Sequence, residues 1–226
     1  MPIYLQETAS IAGGGKEAYL DSLRARWAPH AERTRGLRLV WIGSTIGSTA
    51  AWPEAISLWE LRDWRHYAEV CARMYTESTD DAELKSWWRE AAALRRRVHV
   101  RTLVAAGFSP TLDELVARGI SGTAFAFATV RVAAGETRAA LSAIERRLSD
   151  DERQGRRLVG AYEVAFTNDC VYAIWAHATL ADLAAYEHAR PADEPTAGVG
   201  WSEHWGFAVP GSPLWPKSVA AGAKVW

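Results

Sequence analysis

The sequence has few cysteines and no excess of charge of either sign. Its two cysteines, Cys71 and Cys170, are far apart and neither has a neighbour spaced as a metal ligand, which argues against a disulfide framework or a zinc motif. The chain carries 26 basic and 27 acidic residues, so no basic face is available to bind phosphate backbones. We therefore expect free thiols in a reducing compartment and no nucleic-acid partner.

Long apolar runs are also missing. No stretch of 18 apolar residues is present, which argues against a membrane-spanning helix. Residues 1–4 are not a basic segment leading into an apolar core, so we predict no signal peptide. The sequence also shows no glycine-rich nucleotide loop. These absences favour a cytoplasmic protein without a membrane partner, a metal or a nucleotide.

Two stretches of the chain, about half its length apart, resemble each other. Residues 56–60 read Ile-Ser-Leu-Trp-Glu, carry Trp59 and run into a helical pattern. Residues 171–177 read Val-Tyr-Ala-Ile-Trp-Ala-His, carry Trp175 and do the same. A separation of this kind indicates an internal duplication. The 226 residues suit two units of about 110 residues each.

Each half shows the order strand, helix, strand, strand, helix, strand. Alternating and β-branched residues predict strands at 3–9, 37–43, 56–61 and 97–103, then at 123–131, 157–162, 171–177 and 201–207. Between the halves, Ser109 and Pro110 precede two acidic residues, a pattern that predicts the start of a short helix. The sequence thus predicts an α+β chain of two βαββαβ units.

Short motifs in both halves resemble one family. Gly36-Leu37-Arg38-Leu39-Val40 followed by Leu58-Trp59-Glu60, and more weakly residues 155–159 followed by Ile174-Trp175-Ala176, are similar to the NIPSNAP-like branch of the dimeric α+β barrel superfamily. Ala176 in place of a carboxylate indicates that the second copy has diverged.

The resemblance implies two tandem ferredoxin-like units whose antiparallel sheets pair into a dimeric α+β barrel arrangement within one chain. The first unit is expected at 1–106, a connecting segment with a short helix at 107–121, and the second unit with an irregular C-terminal tail at 122–226. Members of that superfamily act on small, mostly apolar molecules as monooxygenases, isomerases, cyclases and some haem enzymes. Their pockets commonly lie between the sheet and the helices of a unit.

Histidines are the first candidates for chemistry, because the imidazole exchanges protons near neutral pH. His177 shares a strand face with Trp175, so it is predicted as a general acid or base, the alternative being a hydrogen-bonded structural histidine. His188 lies in a segment that resembles a helix-end His-Pro segment of related families, and the resemblance implies a catalytic role at the pocket mouth. His30 and His66 are predicted to lie on the surface.

Large rings and one carboxylate are the candidates for substrate binding. The chain has 12 Trp, an excess that fits either core packing or a cavity lined by flat rings. We predict that Trp175, Tyr162, His204 and Trp59 contact the substrate. Glu60 stands in an apolar strand and is predicted either to pair with Arg38 or to serve the substrate.

These features favour an enzyme without metal or nucleotide that transfers protons on a small apolar or aromatic molecule. Isomerisation, cyclisation, dehydration and cofactor-free oxygenation are all compatible with such a site. A non-catalytic binding or scaffolding protein is the main alternative. A haem protein with His99, His177 or His204 as axial ligand is a further one, which a Soret band would reveal. Self-association into a homodimer also stays open.

Overall fold

Eight antiparallel strands form one closed barrel in the computed structural model, which describes residues 1–76, 81–189 and 200–219. In chain order the strands are β1 (Ile3–Ile11), β2 (Arg38–Thr45), β3 (Glu54–Leu61), β4 (Arg95–Ala105), β5 (Ala124–Arg131), β6 (Arg157–Val164), β7 (Cys170–His177) and β8 (Gly200–Ala208). The order around the barrel is β1-β3-β2-β8-β5-β7-β6-β4. Each half of the chain therefore contributes four neighbouring strands in the same internal order.

Most of the helices cover the outside of the two half-sheets, and one of them closes an end of the barrel. They are α1 (Lys16–Ser22), α2 (Ala28–Arg35), α3 (Trp64–Thr76), α4 (Ala82–Leu94), α5 (Leu112–Ala117), α6 (Thr137–Arg153) and α7 (Leu180–Ala189). A π-helical turn, Leu23–Trp27, joins α1 to α2, and Pro29 is the second residue of α2, where a missing backbone N–H is tolerated. No helix among the described residues is long and apolar enough to cross a membrane.

Two short junctions close the barrel between the halves. Residues 43–45 of β2 pair with residues 206–208 of β8, and residues 103–105 of β4 pair with residues 162–164 of β6. The fold class predicted from the sequence, tandem ferredoxin-like units paired into one barrel, is confirmed. What two chains supply in a dimeric α+β barrel is supplied here by the two halves of one chain.

Three groups of buried apolar residues fill the molecule. One group lies inside the barrel, one lies between the first half-sheet and α1–α4, and one lies between the second half-sheet and α6–α7. Helix α5 closes one end of the barrel, because its Leu112 and Leu115 join the inner group together with Leu214 and Trp215 of the tail. The other end of the barrel carries polar residues.

Helix α5 begins two residues later than the sequence pattern predicted. Thr111 is the N-cap and forms a capping box with Glu114, whose carboxylate accepts the Thr111 backbone N–H at 2.7 Å. Ser109 does not cap the helix, because its hydroxyl donates to the Ala161 carbonyl at 2.6 Å and accepts the Ala161 N–H at 2.8 Å. This residue ties the connecting segment to β6 instead.

The two histidines predicted at the surface, His30 and His66, are buried, and this prediction was wrong. His30 is 5% exposed and its Nε2 lies 2.8 Å from the Asp81 carboxylate. His66 is also 5% exposed, and its Nε2 lies 2.6 Å from the Arg35 carbonyl oxygen. Both imidazoles fasten helices to each other, so neither is free for chemistry.

Candidate active site

A cavity of about 700 Å³ lies between the sheet and the helices of the first unit. Aromatic and apolar side chains from four elements and the π-helical turn make most of its wall, including Leu5, Trp27, Trp59, Tyr67, Met74 and Trp87. The cavity continues past the edge of β4 to the end of β6, where Val164 and Phe166 line it. Its volume and apolar wall suit a small aromatic molecule.

Glu7 provides a carboxylate on the sheet side of this cavity. It stands on the face of β1 that is otherwise apolar, between Leu5 and Ala9. The Ser57 hydroxyl donates to its Oε2 at 3.2 Å and the Trp59 indole N–H donates to the same atom at 3.3 Å. Glu7 is thus held in place by two side chains of the neighbouring strand.

The surroundings of Glu7 favour its neutral form. Burial raises the pKa of this carboxyl above its ordinary value of 4.5, and this effect outweighs the hydrogen bonds from Ser57 and Trp59 and the positive charge of Arg95. Burial also raises the pKa of Tyr19, and the nearby negative charge of Glu7 acts in the same direction. A carboxyl with a raised pKa is suited to exchange protons with a substrate at working pH.

Stacked rings shape the helix side of the cavity. Trp27 and Trp87 stack with ring centres 5.2 Å apart and planes 18° from parallel. Arg95 lies over the same Trp87 ring at 5.9 Å, close to the carboxylate side of the cavity. The spacing i, i+4, i+8 of Tyr19, Leu23 and Trp27 in the sequence places all three on the buried side of this helical segment. The stacked pair therefore forms a fixed aromatic wall on this side of the cavity.

The second unit lacks the carboxylate at the equivalent place. Trp59 pairs with Leu5 across β3 and β1, as Trp175 pairs with Ala126 across β7 and β5. Two residues further along, the first unit has Glu7 opposite Ser57. The second has Ala128 opposite Ala173 in the same register. The matching face of the second unit is therefore apolar.

His177 is enclosed in the core of the second unit and does not line the cavity. Its side chain is 1% exposed, its ring meets Tyr186 edge-on at 5.7 Å, and neither ring nitrogen has a hydrogen-bond partner among the described residues. Burial lowers the pKa of His177 to about 4, and the charge of Arg156 acts in the same direction. His188 is exposed in the last turn of α7. The structure does not bring these two predicted catalytic residues into the Glu7 cavity.

The residues predicted to bind substrate are divided between three places. Trp59 lines the cavity, whereas Trp175 is buried in the second unit beneath a guanidinium. Tyr162 lies inside the barrel, where its ring meets the Tyr4 ring edge-on with centres 5.1 Å apart. His204 stacks on Phe127 at the polar end of the barrel. Among these rings, only Trp59 contacts the carboxylate of the cavity.

Glu60 points to the inside of the barrel, opposite to its neighbour Trp59. Its carboxylate accepts the Tyr4 hydroxyl at 2.7 Å, the Leu112 backbone N–H at 2.8 Å and the Arg38 guanidinium at 3.1 Å. The pairing with Arg38 expected from the sequence is present. With these acceptor sites occupied, Glu60 fixes the start of α5 against the barrel.

Metal binding finds no support in the described part of the chain. Across residues 1–76, 81–189 and 200–219, no three His, Cys, Asp or Glu side chains lie close enough together to hold a metal ion. Cys71 and Cys170 both line the cavity, and both are free thiols. Burial raises the pKa of the Cys170 thiol, which keeps it protonated at neutral pH.

Comparisons with known proteins identify the fold. No protein-family model and no curated protein matches the sequence. A crystal structure from Lactobacillus acidophilus NCFM, provisionally assigned as a monooxygenase, aligns with a TM-score of 0.59 over 92% of this chain and 93% of that chain, at 8% identity. An anthrone oxidase-like protein aligns with a TM-score of 0.58 over 92% and 91% of the two chains, at 9% identity. A NIPSNAP family protein from Agrobacterium tumefaciens str. C58 covers 49% of this chain and 98% of that chain, with 20% identity and a TM-score of 0.39.

Proposed function

We propose that this protein is an enzyme that transfers protons on a small aromatic molecule in the first-unit cavity, with Glu7 as the general base. One observation carries the proposal: a carboxylate with a raised pKa stands on the wall of a 700 Å³ cavity lined by aromatic rings. A carboxylate in an apolar wall is costly for folding, so its presence there is explained by use. The reaction needs neither a metal nor a nucleotide.

Each side chain at the site has a part in this reaction. Ser57 and Trp59 donate to one oxygen of Glu7, which leaves the other oxygen, Oε1, for the substrate proton. Stacked Trp27 and Trp87 form the rigid wall of the cavity against which a flat substrate packs. The apolar wall around Glu7 keeps its pKa raised and makes it a stronger base once it is ionised.

Anthrone is a suitable probe, because it is flat and apolar and has an acidic CH₂ group, and because one protein of the same fold is named for anthrone oxidation. Glu7 would take one proton from this CH₂ group and leave an aromatic enolate. The enolate carbon gives an electron pair to O₂, which forms a C–O bond and, with the proton from Glu7, a hydroperoxide. Loss of water, which removes the second hydrogen, gives anthraquinone. Anthrone and O₂ are thus converted into anthraquinone and water.

The test compares anthraquinone formation in air-saturated buffer by the wild-type protein, Glu7→Gln and Glu17→Gln. Glu17 is exposed on α1 and serves as the matched control. We expect Glu7→Gln to reduce the rate about 100-fold or more, as for loss of a general base, and Glu17→Gln to keep the wild-type rate. An unchanged rate in Glu7→Gln would remove Glu7 from the mechanism. Quenching of Trp fluorescence by anthrone without turnover would instead indicate a binding protein.

A further inference from the structure

The polar end of the barrel, opposite to α5, contains a second cavity of about 310 Å³. Its wall is formed by the inward-facing residues of β1, β3, β4 and β8 and by Ala50 of the loop between β2 and β3; the polar ones are Gln6, Thr8, Ser10, Glu54, Arg97, His99, Arg101 and His204. Two of these side chains are permanently cationic and one is a carboxylate. The cavity is therefore positive in its local charge, although the whole chain is nearly neutral.

The two guanidinium groups of this cavity belong to Arg97 and Arg101. Among the described residues, neither Arg97 nor Arg101 forms an ion pair, whereas Glu54 is engaged by the Ser10 hydroxyl at 3.3 Å. Arg101 is half-buried inside the barrel, and its guanidinium lies 5.2 Å from the centre of the Tyr172 ring. A partly buried guanidinium without a counter-ion costs free energy that a bound anion would recover.

The imidazoles in this cavity respond to the same positive charge. His204 stacks on Phe127 with ring centres 5.0 Å apart and planes 8° from parallel. Burial, and then the charge of Arg101, lower the pKa of His204 to about 4. Burial and the charges of Arg101 and Arg97 also lower the pKa of His99. Each neutral ring keeps one N–H that can donate to an oxyanion.

Packing holds two of these donors, Arg101 and His204, in place before any ligand arrives. The ring beneath Arg101 and the ring beneath His204 both belong to the inner wall of the barrel. Gln6 is 2% exposed, and its amide nitrogen donates to the Thr8 hydroxyl at 2.9 Å. This hydrogen bond fixes the orientation of both side chains in the cavity wall. A preorganised site of this kind loses little side-chain freedom on binding.

We propose that the barrel mouth binds a small molecule through a carboxylate or phosphate group, which pairs with Arg101 and Arg97 and accepts hydrogen bonds from His204 and His99. The planar fork of Arg suits both groups, because it can donate two parallel hydrogen bonds to two oxygens. The cavity has room for such a group with a few attached carbon atoms. This site is separate from Glu7, which points to the opposite face of β1, although His99 and Arg101 also border the larger cavity.

Calorimetric titration of the full chain with inorganic phosphate, and separately with succinate, tests the proposal. We expect at least one of them to bind, and Arg101→Gln to weaken that binding roughly 10-fold or more, as for a lost charge-assisted hydrogen bond. Binding of one probe alone identifies which of the two groups the site selects. In an NMR titration, the pKa of His204 should rise when the anion is bound, because the anion offsets the charge of Arg101.

Two controls and one replacement variant make the result decisive. Arg118→Gln changes an exposed guanidinium outside the barrel and should leave binding unchanged. Glu7→Gln should also bind normally, so failure of the proposed reaction and failure of this site can be told apart. If Arg101→Gln does not fold, Arg97→Gln at the exposed rim replaces it. Absence of binding by both probes, or equal affinity in the Arg variants, would overturn the proposal.

Discussion

The guanidinium carbon of Arg156 lies 4.2 Å from the centre of the Trp175 ring. In the first unit Leu39 pairs with Trp59, and in the second Leu158 pairs with Trp175, so the residues two positions earlier, Leu37 and Arg156, are equivalent. Leu37 lines the open cavity, whereas Arg156 covers its Trp. At this position a leucine borders the open cavity of the first unit and a buried arginine covers the Trp of the second.

Further contacts fix Arg156 in the second unit. Its guanidinium donates to the Tyr186 hydroxyl at 2.7 Å and to the Glu203 carboxylate at 3.4 Å. Tyr186 in turn donates to Asp151 at 3.1 Å. The space that holds a ligand in the proposed first-unit site is occupied here by a hydrogen-bonded side chain.

Replacement of Arg156 should therefore destabilise the protein strongly. Arg156 is 3% exposed. Arg156→Leu removes the positive charge that pairs with the carboxylates of Asp151 and Glu203. We expect a loss of about 3 kcal/mol or more in the free energy of unfolding, measured by urea denaturation. The neighbouring Arg157→Leu, which removes a half-exposed guanidinium, should cost less than about 1 kcal/mol. Equal losses in both variants would contradict the assigned role.

His177→Leu should make the stability less dependent on pH. Leu61 occupies the equivalent position of the first unit, two residues after Trp59, so leucine is compatible with this site. The pKa of His177 is about 4 in the folded protein and 6.5 ordinarily, so the unfolded chain binds the proton more tightly. Stability is therefore lost as pH falls from about 6.5 to about 4, by roughly 3 kcal/mol for this one group.

The measurement is urea denaturation of wild-type protein and His177→Leu at pH 7 and pH 5. We expect the variant to be at least as stable as the wild type at pH 7, since two unpartnered ring nitrogens are removed, and clearly more stable at pH 5. His204 contributes a similar pH dependence to both proteins, so the difference between them isolates His177. His188→Leu, at an exposed site, should show no such difference.

Glu7→Gln should stabilise the protein at neutral pH. The folded-state pKa of Glu7 is raised above 4.5, so the folded protein binds this proton more tightly and ionisation opposes folding. The variant and the wild type should be similar in stability near pH 4, where the carboxyl is protonated in both states. The stability of the variant relative to the wild type should increase as pH rises above about 4.5, until the folded-state pKa of Glu7 is passed. Thermal melts across this range check the sign, and a wild-type advantage at pH 7 would contradict it.

Gly43→Ala should disrupt one of the two junctions that close the barrel. A Cβ atom at Gly43 would lie 1.9 Å from the Phe207 carbonyl oxygen, a contact that requires the backbone to move. We expect a loss of about 3 kcal/mol or more in the free energy of unfolding. At Gly107 a Cβ atom would meet nothing within 4 Å, so Gly107→Ala is the control and should cost little.

The fold could be predicted because its signal is repeated. Trp59 and Trp175 stand at equivalent strand positions, and the strand and helix patterns around them recur in the same order. The alternation of side chains along β7 also predicted that His177 and Trp175 lie on one face of the strand. The structure confirms this. Periodicity of two assigns a side chain to a face, but it does not reveal which face borders empty space.

The cavity could not be located in the same way. Glu7 could have been found from the sequence, because it is the acid on a strand face otherwise formed by Ile3, Leu5, Ala9 and Ile11. The histidines of the sequence pointed to the second unit instead. In that unit Arg156 covers Trp175, and its partner Glu203 is 47 residues away in the chain. Long-range contacts of this kind leave no local pattern in the sequence.

Closure of the barrel within one chain has a consequence for how the protein behaves on dilution. In a barrel made from two separate chains, the strand pairs at residues 43–45 and 103–105 would depend on the concentration of the partner. Here both junctions form by a unimolecular step, so the barrel persists at any concentration at which the chain is folded. Because the two halves are one chain, a substitution such as Glu7→Gln changes one site in each barrel. In a barrel made from two identical chains, the same substitution would change two sites.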